Sequence, residues 1–313
     1  MQTILGAGGA IGVQLLRELA AAGETVRLVG RHPRAAAGAS ETVAADLTDA
    51  EQTARAVAGS RVAHLVVGLP YDTALWREQW PRIVRNAIEA CKRAGAKLIF
   101  FDNVYMYGKV DGPMTEDTPF NPCSRKGEIR AQIAGELLRE MQAGALDAII
   151  ARAADFYGPQ AATSIAQMMV FDRLARGAAA SCLGSDALPH SYTYTPDAAR
   201  AMALLARSAT GWNRTWHLPT AAPPPTGREF VQMAAAALGV APRCRVLGRT
   251  LVRIGGWFDA QAREAYEMLY QNEAPYVFDS SRFTQAFGVV PTPYAQGIVA
   301  AARACANLSP RGR

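Results

Sequence analysis

A glycine loop at the start of the chain constrains the fold most strongly. The first residues read MQTILGAGGAIGVQLLREL, so a short apolar run leads into Gly6, Gly9 and Gly12, and a helical pattern follows. Glycines at such positions allow a tight turn, close approach of the backbone to a pyrophosphate, and close packing of helix on strand. The N-terminus of the helix attracts the anion. The loop therefore predicts a strand, a phosphate-binding turn and a helix of a dinucleotide-binding fold.

The spacing is GxxGxxG and not GxGxxG, because Ile11 occupies the last glycine position of the second pattern. Glycines also serve ordinary turns, which is the alternative interpretation. The strand, loop and helix stand in the order that the binding motif requires, which favours cofactor binding. The predicted cofactor contacts in the loop are Gly6, Gly9, Ala10, Ile11 and Gly12.

Short apolar runs alternate with helical segments through about residue 155. This is the pattern of βαβ units, which build a parallel sheet covered by helices. The predicted strands are 3–5, 25–29, 42–45, 62–67, 98–101 and 148–151, and the predicted helices are 10–22, 51–58, 73–94 and 124–141. We therefore predict the α/β class, with a Rossmann-type doubly wound parallel sheet and a smaller C-terminal substrate-binding domain.

The domain boundary is predicted where this alternation stops. Residues 1–155 should form the dinucleotide-binding domain and residues 156–313 mainly the substrate-binding domain, with some segments returning to the Rossmann sheet. The second part is divided into shorter pieces by Pro and Gly, as in AAPPPTGREF. In that piece Thr226 and Glu229 have the spacing of a capping box, which predicts the start of a helix.

The ends of the second and third strands indicate which dinucleotide is bound. An acid after the second strand would hold the ribose 2′-hydroxyl of NAD, whereas Arg31 and Arg34 in RLVGRHPR suit the 2′-phosphate of NADP. NADP is predicted over NAD, and the alternative is that Arg31 is a solvated loop residue. Asp46 and Leu47 follow the third strand as further cofactor contacts; Asp46 either accepts a hydrogen bond from adenine or caps the next helix.

Composition excludes several classes of function. The net charge of +6 is spread without a basic run, which argues against nucleic acid as a partner. No stretch approaches the roughly 18 apolar residues of a membrane span. The five cysteines show no CxxC, which argues against a metal site and a disulfide framework. Met1 leads directly into the first strand, so we expect no leader and a cytoplasmic location.

Several motifs in order resemble those of the extended short-chain dehydrogenase/reductases, in particular the NAD-dependent epimerase/dehydratase group. They are the glycine loop, ADLTD, FFDNVYMYG, EDTPFNP, RAADFYGP and HSYTYTPDAARAM, and WHLPTAAPPPTGREF is similar to a C-terminal segment of the group. The resemblance covers nearly the whole chain. It implies an oxidoreductase or epimerase that acts on a carbonyl or carbinol of a small hydroxylated or sugar-like substrate. It also implies a homodimer formed through the helices at 73–94 and 124–141.

The chain is an atypical member at the positions that carry the family's chemistry. The family places a Ser or Thr five residues before the glycine of its VYG motif, where this sequence has Asn103. Its Tyr-x-x-x-Lys pair corresponds to Lys126 and Arg130. The tyrosine of that pair exchanges a proton with the substrate, and the lysine assists it and binds ribose.

Four residues are predicted to replace this constellation. Asn103 can polarise a substrate oxygen, and Tyr105, two residues further in a segment expected to be extended, is the substitute acid. Lys126 and Arg130 share a helix face and should point toward the cleft. Arg130 supplies a permanent positive charge to ribose or phosphate. Lys126 is either a proton donor and acceptor or a charged group that binds ligand or reaches solvent.

Other residues and functions remain as alternatives. Tyr157 is a third candidate for the cleft, Tyr107 is expected to pack, and His190 could face substrate, whereas His64 and His217 are expected in the core. The loss of the Tyr and Lys pair also allows a dinucleotide-binding sensor or scaffold without catalysis. A third possibility is a non-redox isomerase or cyclase that uses Tyr105, Lys126 or His190 as acid and base.

Overall fold

The computed structural model describes residues 1–308, with side chains through residue 306. The chain forms two compact units. Unit 1 consists of Met1–Gly108, Pro119–Ala153 and Ala198–Leu218. Unit 2 consists of Lys109–Thr118, Ala154–Asp197 and the chain from Pro219 onwards.

The regular elements are numbered in chain order. The strands are β1 Gln2–Leu5, β2 Val26–Gly30, β3 Glu41–Ala44, β4 Val62–Leu65, β5 Lys97–Asp102, β6 Ala148–Arg152, β7 Asp155–Tyr157, β8 Ala180–Leu183, β9 Tyr192–Tyr194, β10 Arg214–His217 and β11 Cys244–Leu247. The α-helices are α1 Ala10–Ala21, α2 Ala50–Val57, α3 Thr73–Ala94, α4 Arg125–Gln142, α5 Asp172–Ala175, α6 Thr195–Leu205, α7 Gly227–Leu238, α8 Arg249–Gly255, α9 Ala260–Tyr266, α10 Ser281–Phe287 and α11 Tyr294–Leu308.

Unit 1 contains a parallel sheet of seven strands in the order β10-β6-β5-β4-β1-β2-β3. The order reverses direction next to β1, as in doubly wound folds, so the predicted α/β class with a Rossmann-type sheet is confirmed. The six predicted strands correspond to β1 through β6 with ends that differ by at most two residues. The seventh strand, β10, was not predicted.

The ends of helices α3 and α4 and the buried face of α4 follow from the local sequence. The Asp72 side chain caps α3 by accepting a hydrogen bond from the Leu75 amide, and Gly95, with φ of 62°, ends this helix. Ser124 caps α4 by accepting from the Gly127 amide. The apolar positions of α4 repeat at helical spacing and are buried, namely Ile129, Ile133, Leu137 and Met141. Each helix agrees with its prediction to within one residue at either end.

Unit 2 combines two-stranded sheets with helices. β7 pairs with β9, and β8 pairs with β11, both in parallel. The predicted capping box is confirmed, because the Thr226 and Glu229 side chains each bond to the other's backbone amide at the start of α7. Tyr157 is fully buried in the apolar core of this unit and packs on Phe230 and Tyr294. Tyr157, the third candidate for the cleft, is therefore a core residue of this unit.

Candidate active site

The glycine loop between β1 and α1 permits a very close approach of neighbouring backbone. Gly6 has φ of 99°, and a Cβ atom there would lie 2.4 Å from the Cα of Val67. A Cβ atom on Gly12 would lie 2.7 Å from the carbonyl oxygen of Ala7. Gly9 is the N-cap of α1 and brings no side chain over the first amides of that helix. The loop therefore has the bare, tightly turned backbone that a pyrophosphate needs.

The remaining predicted cofactor residues surround this end of the sheet in unit 1. Ile11 is buried in the first turn of α1, which begins at Ala10, and Leu47 is buried after β3. Arg31 is exposed directly after β2. Asp46 is exposed, and its Oδ1 atom accepts hydrogen bonds from the amide and hydroxyl of Thr48.

One alternative for Asp46 is wrong. The N-cap of α2 is Asp49, whose side chain accepts a hydrogen bond from the amide of Gln52 at 2.8 Å. Asp46 does not cap this helix, because it lies three residues before the cap and bonds within its own turn. The adenine contact stays a prediction.

The chain after β5 turns sharply. Residues Tyr105–Tyr107 form a 3₁₀-helix, and the Oδ1 atom of Asn103 accepts a hydrogen bond from the Tyr105 amide at 3.1 Å. The expectation of an extended segment, with Asn103 and Tyr105 on one side, is therefore wrong, because the chain turns into a 3₁₀-helix directly after Asn103. The amide nitrogen of Asn103 keeps two N–H groups for other acceptors.

An aromatic cluster, formed by Tyr71, Trp76, Trp80 and Tyr105, lies next to this turn. The ring of Tyr105 is stacked on that of Trp76 at a centroid distance of 6.2 Å and an interplanar angle of 12°. The guanidinium of Arg130 lies 4.2 Å from the Trp80 ring and 5.3 Å from the Trp76 ring. α4 thus brings Arg130 onto the same aromatic surface that holds Tyr105.

Lys126 contacts the other end of the aromatic cluster. Its Nζ donates a hydrogen bond to the Thr73 hydroxyl at 2.9 Å and lies 4.5 Å from the ring centroid of Tyr71. The residue is 0% exposed, so the alternative in which it reaches solvent is wrong. Lys126 and Arg130 do share the buried face of α4, as their spacing predicts, but neither side chain is open to solvent.

An ion cluster, formed by Asp102, Arg130 and Arg152, lies beneath the turn. The Asp102 carboxylate is 3.3 Å from the Nε of Arg130 and 3.7 Å from the Nε of Arg152, and all three side chains are buried. Burial raises the pKa of Asp102, against the opposing effect of the two arginines. Burial also lowers the pKa of Arg130, whereas Asp102 and Tyr105 act to raise it. Arg130 and Tyr105 are therefore electrostatically coupled.

Sequence reasoning missed a row of polar residues at the ends of three strands. Asp102, Arg152 and His217 are in register across β5, β6 and β10. The Tyr107 hydroxyl joins the last two, since it accepts a hydrogen bond from Arg152 at 2.7 Å and lies 2.8 Å from the Nε2 of His217. The available signal was a polar residue ending each of the apolar runs KLIFFD, AIIAR and RTWH, because carboxyl ends of parallel strands meet at one edge.

Unit 2 contains a separate cavity that includes His190. The Nε2 of His190 lies 2.9 Å from the carboxylate of Asp155, and its ring stacks on Tyr276 at 4.3 Å. Cys182 and Phe230 are among the other residues that line the cavity. His190 therefore lies in a cavity wall, and its contact with a substrate stays a prediction. His64 and His217 are buried, as predicted.

The glycine loop, the reversal of strand order and the polar strand ends define a doubly wound α/β protein with the loop geometry of dinucleotide-binding folds. The chain belongs to the NAD-dependent epimerase/dehydratase family, whose model matches residues 3–216. A search of curated protein sequences gave no significant match. Among residues 1–308, no helix is long and apolar enough to cross a membrane, and no group of three or more His, Cys, Asp or Glu side chains could hold a metal ion.

Solved structures of similar fold include enzymes that act on sugar nucleotides. A double mutant of the dTDP-glucose 4,6-dehydratase DesIV from Streptomyces venezuelae, with NAD bound, has a TM-score of 0.79 at 19% identity, with 97% of this chain and 96% of that chain covered. The UDP-glucose 4-epimerase of Thermus thermophilus, in complex with NAD, has a TM-score of 0.78 at 19% identity, with coverage of 99% and 100%. MoeE5, in complex with UDP-glucuronic acid and NAD, has a TM-score of 0.77 at 20% identity, with coverage of 97% and 98%. At these identities the likeness shows the fold.

Proposed function

We propose that the protein is a nicotinamide-dependent oxidoreductase or epimerase with an altered catalytic site, acting on a carbinol or carbonyl carbon of a sugar nucleotide or similar hydroxylated substrate. The observation that carries this proposal is the grouping of Asn103, Tyr105 and Arg130 at the carboxyl end of β5, in the same unit as the glycine loop. The family and the sugar nucleotides bound by structural neighbours support the substrate class.

The glycine loop is the part of the chain that fits the cofactor. The backbone at Gly6, Gly9 and Gly12 would hold the pyrophosphate, because added side chains at Gly6 and Gly12 would collide with the neighbouring backbone. Arg31, exposed after β2, would bind a ribose 2′-phosphate, which supports NADP. The structural neighbours contain NAD, which supports the other dinucleotide. When bound, the nicotinamide accepts or donates the hydride.

Proton transfer is assigned to Tyr105. Its phenol would accept the proton of the substrate hydroxyl during oxidation and return one during reduction. The buried positive charge of Arg130 would stabilise the phenolate, which is the service that the lysine performs in typical members of the family. The side-chain N–H groups of Asn103 would donate a hydrogen bond to the reacting oxygen and stabilise its developing charge.

Lys126 is proposed as a cation that orders the site. Its ammonium group contacts Thr73 at the start of α3 and Tyr71 in the aromatic cluster. A positive charge at this place favours an anionic substrate or cofactor group nearby. The other role is direct proton transfer by Lys126. The Lys126→Met variant, which keeps the apolar stem and removes the ionisable group, tests this role in the turnover assay with sugar nucleotides described below.

Cofactor choice is tested by titrating NADPH and NADH into the protein and following nicotinamide fluorescence. We expect tighter binding of NADPH, and we expect Arg31→Ala to weaken NADPH binding by roughly tenfold, about 1.4 kcal/mol, while NADH binding is unchanged. Equal affinity of the wild-type protein for both cofactors would remove the assignment of a 2′-phosphate to Arg31.

The reaction is tested by adding dTDP-glucose, UDP-glucose and UDP-glucuronic acid to the cofactor complex. A change in nicotinamide absorbance, or formation of an epimer or dehydrated sugar, supports the proposal. Turnover of a substrate in cofactor-free protein would favour the non-redox isomerase or cyclase. Tight cofactor binding with no reaction of any tested carbinol would favour the sensor or scaffold.

A further inference from the structure

Two cysteines of unit 2 lie side by side on paired strands. Cys182 is on β8 and Cys244 is on β11, and their sulfur atoms are 2.7 Å apart. The strands pair in parallel, with Cys244 opposite Ala180 and Val246 opposite Cys182, so the two cysteines occupy diagonal positions on one face. Both are free thiols. Backbone pairing of the two strands therefore holds these thiols against one another.

We propose that Cys182 and Cys244 form a reversible intramolecular disulfide, which makes this strand pair a site of oxidative modification. The sulfurs need to move closer by less than 1 Å to reach the disulfide bond length of about 2.05 Å. The sequence argues against a disulfide framework, and 61 residues separate the two cysteines along the chain, so only the paired strands bring them together. It does not depend on the proposed enzymatic function.

The surroundings assign different roles to the two sulfurs. Cys182 is 8% exposed. Burial raises the pKa of its thiol, and the contact with Cys244 raises it further. Cys244 is only half-buried, so an oxidant in solution reaches its sulfur first. Cys244 is therefore the attacking residue and Cys182 the resolving one.

The oxidant in this proposal is hydrogen peroxide. The Cys244 thiolate attacks one peroxide oxygen, the O–O bond breaks, and a sulfenic acid forms; the released hydroxide takes up the proton that Cys244 lost and leaves as water. The Cys182 sulfur then attacks the sulfenic sulfur, the S–O bond breaks, and a second water leaves with the Cys182 proton. The peroxide gains two electrons and the two thiols lose them. A dithiol reductant reverses the reaction by thiol–disulfide exchange.

The bond would form in the wall of the cavity that contains His190. Cys182 and His190 both line this cavity, and so does Gly227, which begins α7. A covalent link between β8 and β11 would fix the distance between these two strands and so limit movement of this wall of the cavity. Oxidation would therefore act on the cavity that contains the predicted substrate contact His190.

The test uses full-length protein carrying Cys123→Ser, which removes the exposed thiol that could join two chains. This background has four cysteines, the original five less one. Hydrogen peroxide should lower the titratable thiols from four to two and the intact mass by about 2 Da, and peptide mapping should find the Cys182 and Cys244 peptides joined. Reduction should restore all four thiols.

Two control variants separate this pair from the other thiols. In the same background, Cys244→Ser should abolish the loss of about 2 Da, whereas Cys91→Ser, at a buried cysteine of α3, should retain it. Far-ultraviolet circular dichroism checks that each variant is folded. Four remaining thiols after oxidation of the background protein, a bond between other cysteines, or a bond between two chains would each overturn the proposal.

Discussion

Asp102 carries the only carboxylate of the ion cluster, and two buried guanidinium groups depend on it. Replacing it with Ala would leave Arg130 and Arg152 buried without their counter-charge. We expect Asp102→Ala to lower the free energy of unfolding by about 3–5 kcal/mol, as found when one partner of a buried pair is removed. Urea denaturation followed by circular dichroism measures this change.

The matched control is Asp117, which is exposed and pairs with Arg282 at the surface of unit 2. Asp117→Ala should change stability by less than about 1 kcal/mol, because exposed ion pairs contribute little. Similar losses from Asp102→Ala and Asp117→Ala would contradict the assignment of a structural role to the ion cluster.

Protonation of one buried histidine, His64, makes the stability of the folded protein depend on pH. It is fully buried on β4, its Nε2 donates a hydrogen bond to the side chain of Gln2, and burial lowers its pKa to about 3. As pH falls below about 6.5, the unfolded chain binds a proton at this residue and the folded protein does not. The free energy of unfolding is therefore highest above pH 6.5 and falls by about 1.4 kcal/mol for each pH unit of acidification below it.

Denaturation of the wild type and two variants at pH 6.5 and pH 5 measures this effect. The wild type should lose about 2 kcal/mol more than His64→Asn over this interval, because the variant has no imidazole to protonate. His32→Asn, at an exposed histidine, should retain the wild-type dependence. Identical pH dependence of His64→Asn and the wild type would contradict the lowered pKa of His64.

Tyr105 is the residue on which the proposed proton transfer depends. We expect Tyr105→Phe to lower kcat by about 10²- to 10⁴-fold with little change in cofactor affinity, because the ring still stacks on Trp76 and only the hydroxyl is lost. Tyr157→Phe is the matched control, since the buried hydroxyl of Tyr157 has no hydrogen-bond partner among the described residues. Undiminished turnover in Tyr105→Phe would exclude Tyr105 as the acid and base.

At the scale of the element, the junction of β1 and α1 requires glycine for a steric reason. We expect Gly6→Ala to destabilise the cofactor-free protein by more than about 2 kcal/mol, because its φ of 99° is strained for alanine and the new Cβ would collide with Val67. Gly8→Ala in the same loop should change stability by less than about 0.5 kcal/mol, since no atom lies within 4 Å of a Cβ there. Thermal unfolding compares the two variants, and equal effects would contradict the steric argument.

Helix α4 shows how far an element can be predicted. The Ser124 cap and the apolar positions of the sequence predict its ends and its buried face. The side chains that meet Lys126 and Arg130 come from α3 and β5, more than 20 residues earlier in the chain, and local periodicity carries no information about them. For this reason the sequence predicts the shared face of the two cations, whereas only the structure shows the aromatic rings and the carboxylate that surround them.

At the scale of the whole molecule, cofactor binding should be visible as stability. A ligand that binds only the folded state raises the free energy of unfolding by about 2.7 kcal/mol at one hundred times its Kd. We expect NADPH or NADH to produce this increase in the thermal unfolding of unit 1, which contains the sheet and the glycine loop. Differential scanning calorimetry with increasing cofactor measures it. An unchanged transition at millimolar cofactor would contradict dinucleotide binding.

The sequence by itself determined the α/β class, six of the seven strands of the sheet, the helices between them and the glycine loop. These features follow from short-range periodicity and from a backbone geometry that favours glycine. The tertiary structure alone decided that Asp102, Arg152 and His217 form a row, that the later segment in the sheet is β10, and that Cys182 meets Cys244. Each of these depends on strand pairing between distant segments, which sets the register of side chains that local sequence patterns cannot relate.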